Sequence, residues 1–329
     1  NYQSRDDTFT IEYGTDGMSL AITYMNATQG WVPTIDEAVT DAPYKGNSEG
    51  IFGYGTTGSN VSMTNLVSHA GVVATDVTGV GTDRERLAAC EYGGDKGIFG
   101  FGQGGYYDSV TNLVTNAGVV GTDVTGVGTI RSELAACGYG EDKGIFGFGT
   151  NGSDLSMTNL VSNAGVVATD TTGVGTARKV LAACEYGGDK GIFGYGWTGS
   201  AVSYTNLVSN AGVVGTDVTG VGTARRMLAA CSYGEDKGIF GFGESGGNLS
   251  MTNLVSNAGV VATDTTGVGT ARYLIAACEY GGDKGIFGYG SDGSSYVSMT
   301  NLVSNAGVVA TDVTGVGTDR AYLAACSFN

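Results

Sequence analysis

The residues of this chain best suited to chemistry come in sets of six: the cysteines Cys90, Cys137, Cys184, Cys231, Cys278 and Cys326, and the aspartates of Thr-Asp pairs, Asp76, Asp123, Asp170, Asp217, Asp264 and Asp312. A ring of thiols could hold a soft metal or exchange electrons, and a ring of carboxylates could hold calcium. Both sets recur every 47 residues, with 48 at the last step. An arginine series (Arg84, Arg131, Arg178, Arg225, Arg272, Arg320) keeps the same interval, as do five Asp-Lys pairs from Asp95-Lys96 to Asp283-Lys284. A residue that returns with the period of the chain belongs first to whatever the period builds.

The period is strict. Gly-Ile-Phe-Gly begins at Gly50, Gly97, Gly144, Gly191, Gly238 and Gly285, and in every copy it is followed by Leu-Val-(Ser/Thr)-(Asn/His)-Ala-Gly-Val-Val, Thr-Gly-Val-Gly-Thr, an arginine and Ala-Ala-Cys. Each repeat then buries its apolar surface against its neighbours. Equivalent cysteines on successive packed sheets stand ~10 Å apart, whereas a disulfide needs Cα atoms within about 7 Å. The cysteines are therefore expected to be buried free thiols that pack as small hydrophobes. The repeated aspartates are expected to make structural hydrogen bonds, with calcium binding as the sharper alternative. No cofactor and no metal site is predicted.

Few ionisable residues escape the repeat. His69, the single histidine, replaces an asparagine of the other copies, so histidine-based metal clusters and Ser-His triads are excluded. Glu85 and Glu133 are the only non-repeated carboxylates placed as a hydrolase would need them, and nothing else marks them as catalytic.

The elements behind these residues are short strands. The chain has 329 residues, 59 of them Gly and two Pro, and is rich in Val, Thr, Ala and Tyr. In the unit from Arg84 to Ile130, residues 86–92 read as a first strand, Gly93-Gly94-Asp95-Lys96 as a tight turn, 97–101 as a second strand, 110–115 as a third and 119–124 as a fourth. Four antiparallel strands per unit match one blade of a β-propeller. The first Gly-Ile-Phe-Gly lacks a preceding Leu-Ala-Ala-Cys, while the last such phrase, Leu323 to Cys326, is followed only by Ser-Phe-Asn. The chain end is thus predicted to supply the missing strand, closing a ring of six blades with no free edge. The expected fold is all-β, a six-bladed propeller of four-stranded blades over residues 50–329, with the small Ala-Ala-Cys strand innermost.

The run from Thr176, Thr-Ala-Arg-Lys-Val-Leu-Ala-Ala-Cys-Glu-Tyr-Gly-Gly-Asp-Lys-Gly-Ile-Phe-Gly-Tyr-Gly, resembles a kelch repeat: an arginine, a small apolar strand, a turn, then an aromatic-aliphatic strand ending in glycines. It departs from kelch in having Gly-Tyr-Gly for the double glycine and no tryptophan on the fourth strand. The Tyr-Gly-rich units also resemble repeats of phage tail and fibre proteins. That resemblance implies a virion or extracellular location.

Residues 1–49 read as a separate leader. Phe9–Tyr13 and Met18–Tyr24 alternate around Gly14-Thr15-Asp16-Gly17 as a hairpin, and Trp31-Val32-Pro33 begins a further strand. An attachment segment is expected. The polar start without an initiator Met fits a processed or truncated chain.

The copies differ in two stretches. One is the loop between the second and third strands: 56–60, 103–108, 150–154, 197–201, 244–248 and 291–296. The other is the entry to the first strand: Glu85-Arg86, Ser132-Glu133, Lys179-Val180, Arg226-Met227, Tyr273-Leu274 and Ala321-Tyr322. In a propeller both lie on one face, and a varied face on an invariant frame is the organisation of a binding surface. The predicted ligand-binding residues are Arg86, Tyr106, Tyr107, Lys179, Trp197, Arg226, Tyr273, Tyr296 and Tyr322, a mixture suited to glycan or protein surfaces.

A formal charge of −16 argues against a nucleic-acid partner. No apolar run reaches the roughly 20 residues of a membrane span, so membrane insertion is not expected. The composite expectation is a non-enzymatic adhesion module that binds a glycan or protein receptor. Its rivals are a structural subunit of a virion or filament, in contact with other subunits, and a glycan-cleaving enzyme.

Overall fold

The computed structural model describes residues 48–329 throughout and, before them, the strands Tyr2–Ser4, Asp7–Phe9, Ala21–Asn26 and Gly30–Ile35. The chain forms two compact units, Asn1–Lys45 and Gly46–Asn329. Every regular element among the described residues is a β-strand.

In the first unit Tyr2–Ser4 pairs with Asp7–Phe9, and Ala21–Asn26 pairs with Gly30–Ile35, all antiparallel. The predicted turn at Gly14–Gly17 lies outside the described residues. Phe9 of the predicted hairpin pairs with Tyr2, and Thr23 and Tyr24 pair with Val32 and Trp31, inside the strand foreseen there.

The second unit contains six three-stranded antiparallel sheets. In one, Ala88–Tyr92 pairs with Lys96–Gly100, and that strand pairs with Thr111–Val114, so that Cys90 faces Ile98 and Ile98 faces Leu113. The turn between the first two strands turns on Gly93 and Gly94, at φ 67° and 78°, where a side chain would be strained. One sheet is assembled from the two ends of the second unit: Ala324–Phe328 pairs with Glu49–Gly53, with Cys326 opposite Ile51. The strand missing from the first repeat is supplied as expected.

The fourth strand is a correction. Residues 119–124 make only the isolated bridges Val114↔Val120 and Thr111↔Val124. Between these bridges the Gly121 amide donates to the Leu113 carbonyl (2.8 Å), while the Asn112 side chain takes the Gly121 carbonyl (3.0 Å) and donates to Asp123 (2.9 Å), so no continuous ladder forms. The first strand also begins at Ala88 and not at residue 86, because Arg86 sits in the left-handed region at φ 57°.

Apolar packing joins consecutive sheets. Cys90, Ile98 and Phe101 pack on Leu134, Phe146 and Val161 of the next sheet, and the Phe101 and Phe146 rings meet with centroids 5.1 Å apart. Phe52 and Val67 of the two-ended sheet pack in the same way on Cys278, Ile286 and Tyr289. The bare glycines of the second strand make this fit possible. A Cβ on Gly144 would come within 2.5 Å of Cys90 Sγ, and one on Gly100 within 2.7 Å of the Phe146 ring.

The arginine series ties each unit together from inside. Arg84 is fully buried, donates from Nε to the Phe101 carbonyl (2.9 Å) and from Nη2 to Asn112 Oδ1 (2.6 Å), and lies 4.4 Å over the Tyr54 ring of the preceding sheet. The aspartate series clamps units to each other. Asp123 accepts from the Thr82 amide and hydroxyl, and Asp76 accepts from Thr318, 242 residues away. The repeated aspartates thus make the structural bonds expected of them.

A further set of backbone bonds links all six sheets. Glu133 N donates to Arg86 O (2.9 Å), Val180 to Glu133, Met227 to Val180, Leu274 to Met227, Tyr322 to Leu274, and Arg86 N to Tyr322 O (2.9 Å). The cycle returns to its starting residue. Residues of all six first strands, among them the six cysteines, line one open pocket.

Candidate recognition face

The backbone brings the two variable stretches together. Isolated bridges join Glu85 to Gln103, Ser132 to Thr150, Lys179 to Trp197, Arg226 to Glu244, Tyr273 to Ser291 and Ala321 to Thr56. Each loop also closes on itself, as in Gln103↔Tyr107 and Ser291↔Tyr296. Neighbouring loops touch where Asn60 Nδ2 donates to the Gln103 and Gly104 carbonyls (3.2 and 3.1 Å). The varied residues therefore form one belt around the cycle of six backbone bonds.

The belt is built on backbone that side chains seldom adopt. Arg86, Glu133, Val180, Met227, Leu274 and Tyr322 all have φ between 48° and 57°, and the aromatic position from Tyr54 to Tyr289 has φ of 62° to 64°. Each such residue costs on the order of 1 kcal/mol, so the surrounding packing over-determines this rim.

The nine predicted binding residues fall into three groups. Tyr106 projects alone, 91% exposed, at the tip of its loop, with Tyr107 partly buried beside it. Around the centre, the Arg86 guanidinium lies 4.4 Å over the Tyr322 ring, donates to Glu133 (2.7 Å) and sits 3.2 Å from Glu85. Lys179 reaches the same Glu133 at 3.5 Å. Burial pushes the Tyr322 hydroxyl up; Arg86 offsets part of this, while Glu133, Glu85 and Tyr296 add to it, which places Tyr296 in the same group. On another sector Arg226 stacks 4.2 Å over Trp197 and donates to Glu244 at 2.8 Å. Tyr273 lies at the base of the loop that carries Tyr296, bridged to Ser291.

The three cations are thus paired within the face. Sequence reading places them there without their carboxylate partners. Glu85 and Glu133 converge on one guanidinium. Burial raises the Glu85 carboxyl and Arg86 offsets part of the effect.

The cysteines are free and buried, as expected, and burial drives their thiols far above the usual range. Among the described residues, no group of three or more His, Cys, Asp or Glu is arranged to hold a metal.

One cluster escaped sequence reading. The residue after each cysteine reads Glu91, Gly138, Glu185, Ser232, Glu279 and Ser327, and all six line that pocket. Glutamate at every second copy is the signal that could have revealed it. Burial, and then the neighbouring Glu91, hold the Glu185 and Glu279 carboxyls well above the ordinary carboxylate range.

No protein-family model matches this chain, and no curated protein sequence is similar to it.

Proposed function

We propose that residues 50–329 form a six-bladed, kelch-like β-propeller closed by the C-terminal strand, and that it is a non-enzymatic recognition module whose varied face binds a receptor. Support for the closed form comes from the two-ended sheet, the Asp76–Thr318 clamp and the cycle of six backbone bonds. The observation that carries the functional reading is the pairing of both variable stretches into one belt, with an almost fully exposed tyrosine on an otherwise repeated frame. Large aromatics present broad contact area at low entropic cost. A glycan or protein on a cell surface is the receptor class proposed, and attachment of a phage tail or a similar extracellular assembly is the context.

A second reading is a structural subunit. It draws on Val72, Val119, Val166, Val213, Val260 and Val308, which stand 61–65% exposed at one repeated position. Six copies of an exposed apolar side chain would suit contact with neighbouring subunits.

Glycan-array binding combined with a turnover assay tests the proposal. Binding without product release, weakened about tenfold or more by Trp197→Ala or Tyr106→Ser, is expected. Failure of the intact chain to bind any glycan or surface protein removes the recognition reading. Product release abolished by Glu85→Gln would replace it with a hydrolase.

A further inference from the structure

We infer that Asn151-Gly152, on the varied belt, is a site of spontaneous modification: the Asn151 side chain closes on the Gly152 nitrogen to a cyclic imide, which water opens to aspartate or isoaspartate.

The sequence sets the site apart. Asn151 is the one asparagine of the chain that a glycine follows. Ring closure brings the amide nitrogen of the next residue onto the side-chain carbonyl carbon, and a Cβ on that residue crowds the approach. Gly152 has no Cβ, stands at φ 112°, and faces open space, with nothing within 4 Å of where a Cβ would sit. Asn151, Gly152 and Ser153 are all exposed, so water reaches the amide.

The hydrogen bonds leave the reacting atoms available. Among the described residues the only side-chain bond of Asn151 is the one its Oδ1 accepts from the Ser153 amide at 3.3 Å, so Nδ2, the leaving group, is not held. That amide faces the oxygen on which negative charge develops during attack. The exposed asparagines of the repeated turns differ. Asn163 donates from Nδ2 to Asp142 (2.9 Å) and precedes Ala164, whose methyl crowds the nitrogen.

An aspartate already stands at the matching place of another loop. Asp292-Gly293 corresponds to Asn151-Gly152: Ser291 pairs with Tyr273 as Thr150 pairs with Ser132, and Gly293 N donates to Ser291 Oγ (3.1 Å) as Gly152 N donates to Thr150 Oγ1 (3.1 Å). Asp292 accepts from the Ser294 and Ser295 amides, both at 2.8 Å, and these bonds hold its carboxyl below the usual range. Aspartate at position 151 therefore fits the loop, and takes the Ser153 amide more strongly than a neutral carboxamide does. Isoaspartate fits less well, because its extra backbone methylene falls inside the Thr150↔Asp154 bridge.

The step balances with water as the only co-reactant. The Gly152 nitrogen loses its proton to hydroxide and attacks Asn151 Cγ; the N–Cγ bond forms, the Cγ–Nδ2 bond breaks, and Nδ2 departs as ammonia with a proton from water. Water then cleaves one of the two imide C–N bonds. Cleavage at Cγ gives aspartate, and cleavage at the backbone carbonyl gives isoaspartate. Either product adds one negative charge to the face, with no enzyme and no receptor involved.

The experiment incubates the folded full chain at pH 6 and pH 8, with Gly152→Ala and Asn151→Gln beside it, and reads its peptides by mass spectrometry with isoaspartate resolved. The expected result is a gain of one mass unit at position 151, with both aspartate and isoaspartate formed. It should be faster at pH 8, since the attacking nitrogen must lose its proton. It should also be faster than at Asn163 by on the order of tenfold or more, and slowed comparably by Gly152→Ala, which adds a methyl, and by Asn151→Gln, which needs a larger ring. No gain in the folded chain, whether or not the chain in denaturant shows one, would overturn the inference. So would equal conversion at positions 151 and 163, or aspartate formed without isoaspartate, the mark of direct hydrolysis. These readings are made on the wild type and decide the matter even if a variant fails to fold.

Discussion

Arg84 and Arg86 lie two residues apart and serve different parts of the molecule. Arg84 recurs in every unit, is fully buried, and donates to frame carbonyl and amide oxygens. Arg86 occurs once, is partly exposed, and pairs with Glu133, which also occurs once. Repetition thus marks what holds the sheets together. Departure from it marks the belt, and also the pocket-lining position where Glu91, Glu185 and Glu279 alternate with Gly138, Ser232 and Ser327.

The contrast can be broken at its strongest point by Arg131→Ala. Arg131 donates to the Phe148 carbonyl (3.0 Å) and Asn159 Oδ1 (2.7 Å), and both acceptors would be left buried without it. A loss of about 3–5 kcal/mol in denaturant unfolding is expected. Arg86→Ala should cost less, since its guanidinium is partly exposed and Lys179 still reaches Glu133. Equal losses at the two sites would erase the distinction.

A smaller effect should follow from filling the notch that receives a cysteine. Gly144→Ala brings a methyl against Cys90 Sγ and should destabilise by roughly 1–3 kcal/mol, with Cys90→Ala restoring part of the loss in the double variant. Additive losses would show that the two residues do not share the space.

The smallest effect lies on the acid side. Partial burial works against ionisation of Asp123, yet hydrogen bonds from Thr82 and Asn112 hold its carboxyl below the usual range, and Asp76 is held likewise by Thr318 and Asn65. A lowered native pKa contributes stability that is present above the unfolded value of about 3.9 and is lost as the pH falls through the native one. Asp123→Asn should therefore reduce stability at pH 6 by about 1 kcal/mol and by less at pH 2. Asp76→Asn should match it if the joint between the first and last repeats equals the internal joints. An unequal pair would single out that joint as different.

Much of this was legible in the sequence, because a strict repeat turns every residue into a position. The two-ended sheet, the free thiols and the structural aspartates follow from counting copies. The fourth strand did not follow, since Val119–Val124 has strand-like composition and the Asn112 side chain, which takes the Gly121 carbonyl, is not a signal that composition carries. The variation between copies was legible, but the pairing of the varied residues was not: Glu133 meets Arg86 and Lys179 across unit boundaries that spacing alone does not measure. The glutamates of the pocket were missed because Glu91 looks like an ordinary polar residue beside a turn until residues of all six first strands are seen to line one pocket.

The most direct test of the recognition account is receptor binding measured alongside unfolding for Tyr106→Ser/Tyr107→Ser/Trp197→Ala and for a control, Asn116→Ser/Asn163→Ser, in the exposed repeated turns. The account predicts lost binding with an unfolding free energy within about 1 kcal/mol of wild type for the first, and intact binding for the second. Binding that survives the first, or is lost equally in the second, would contradict it.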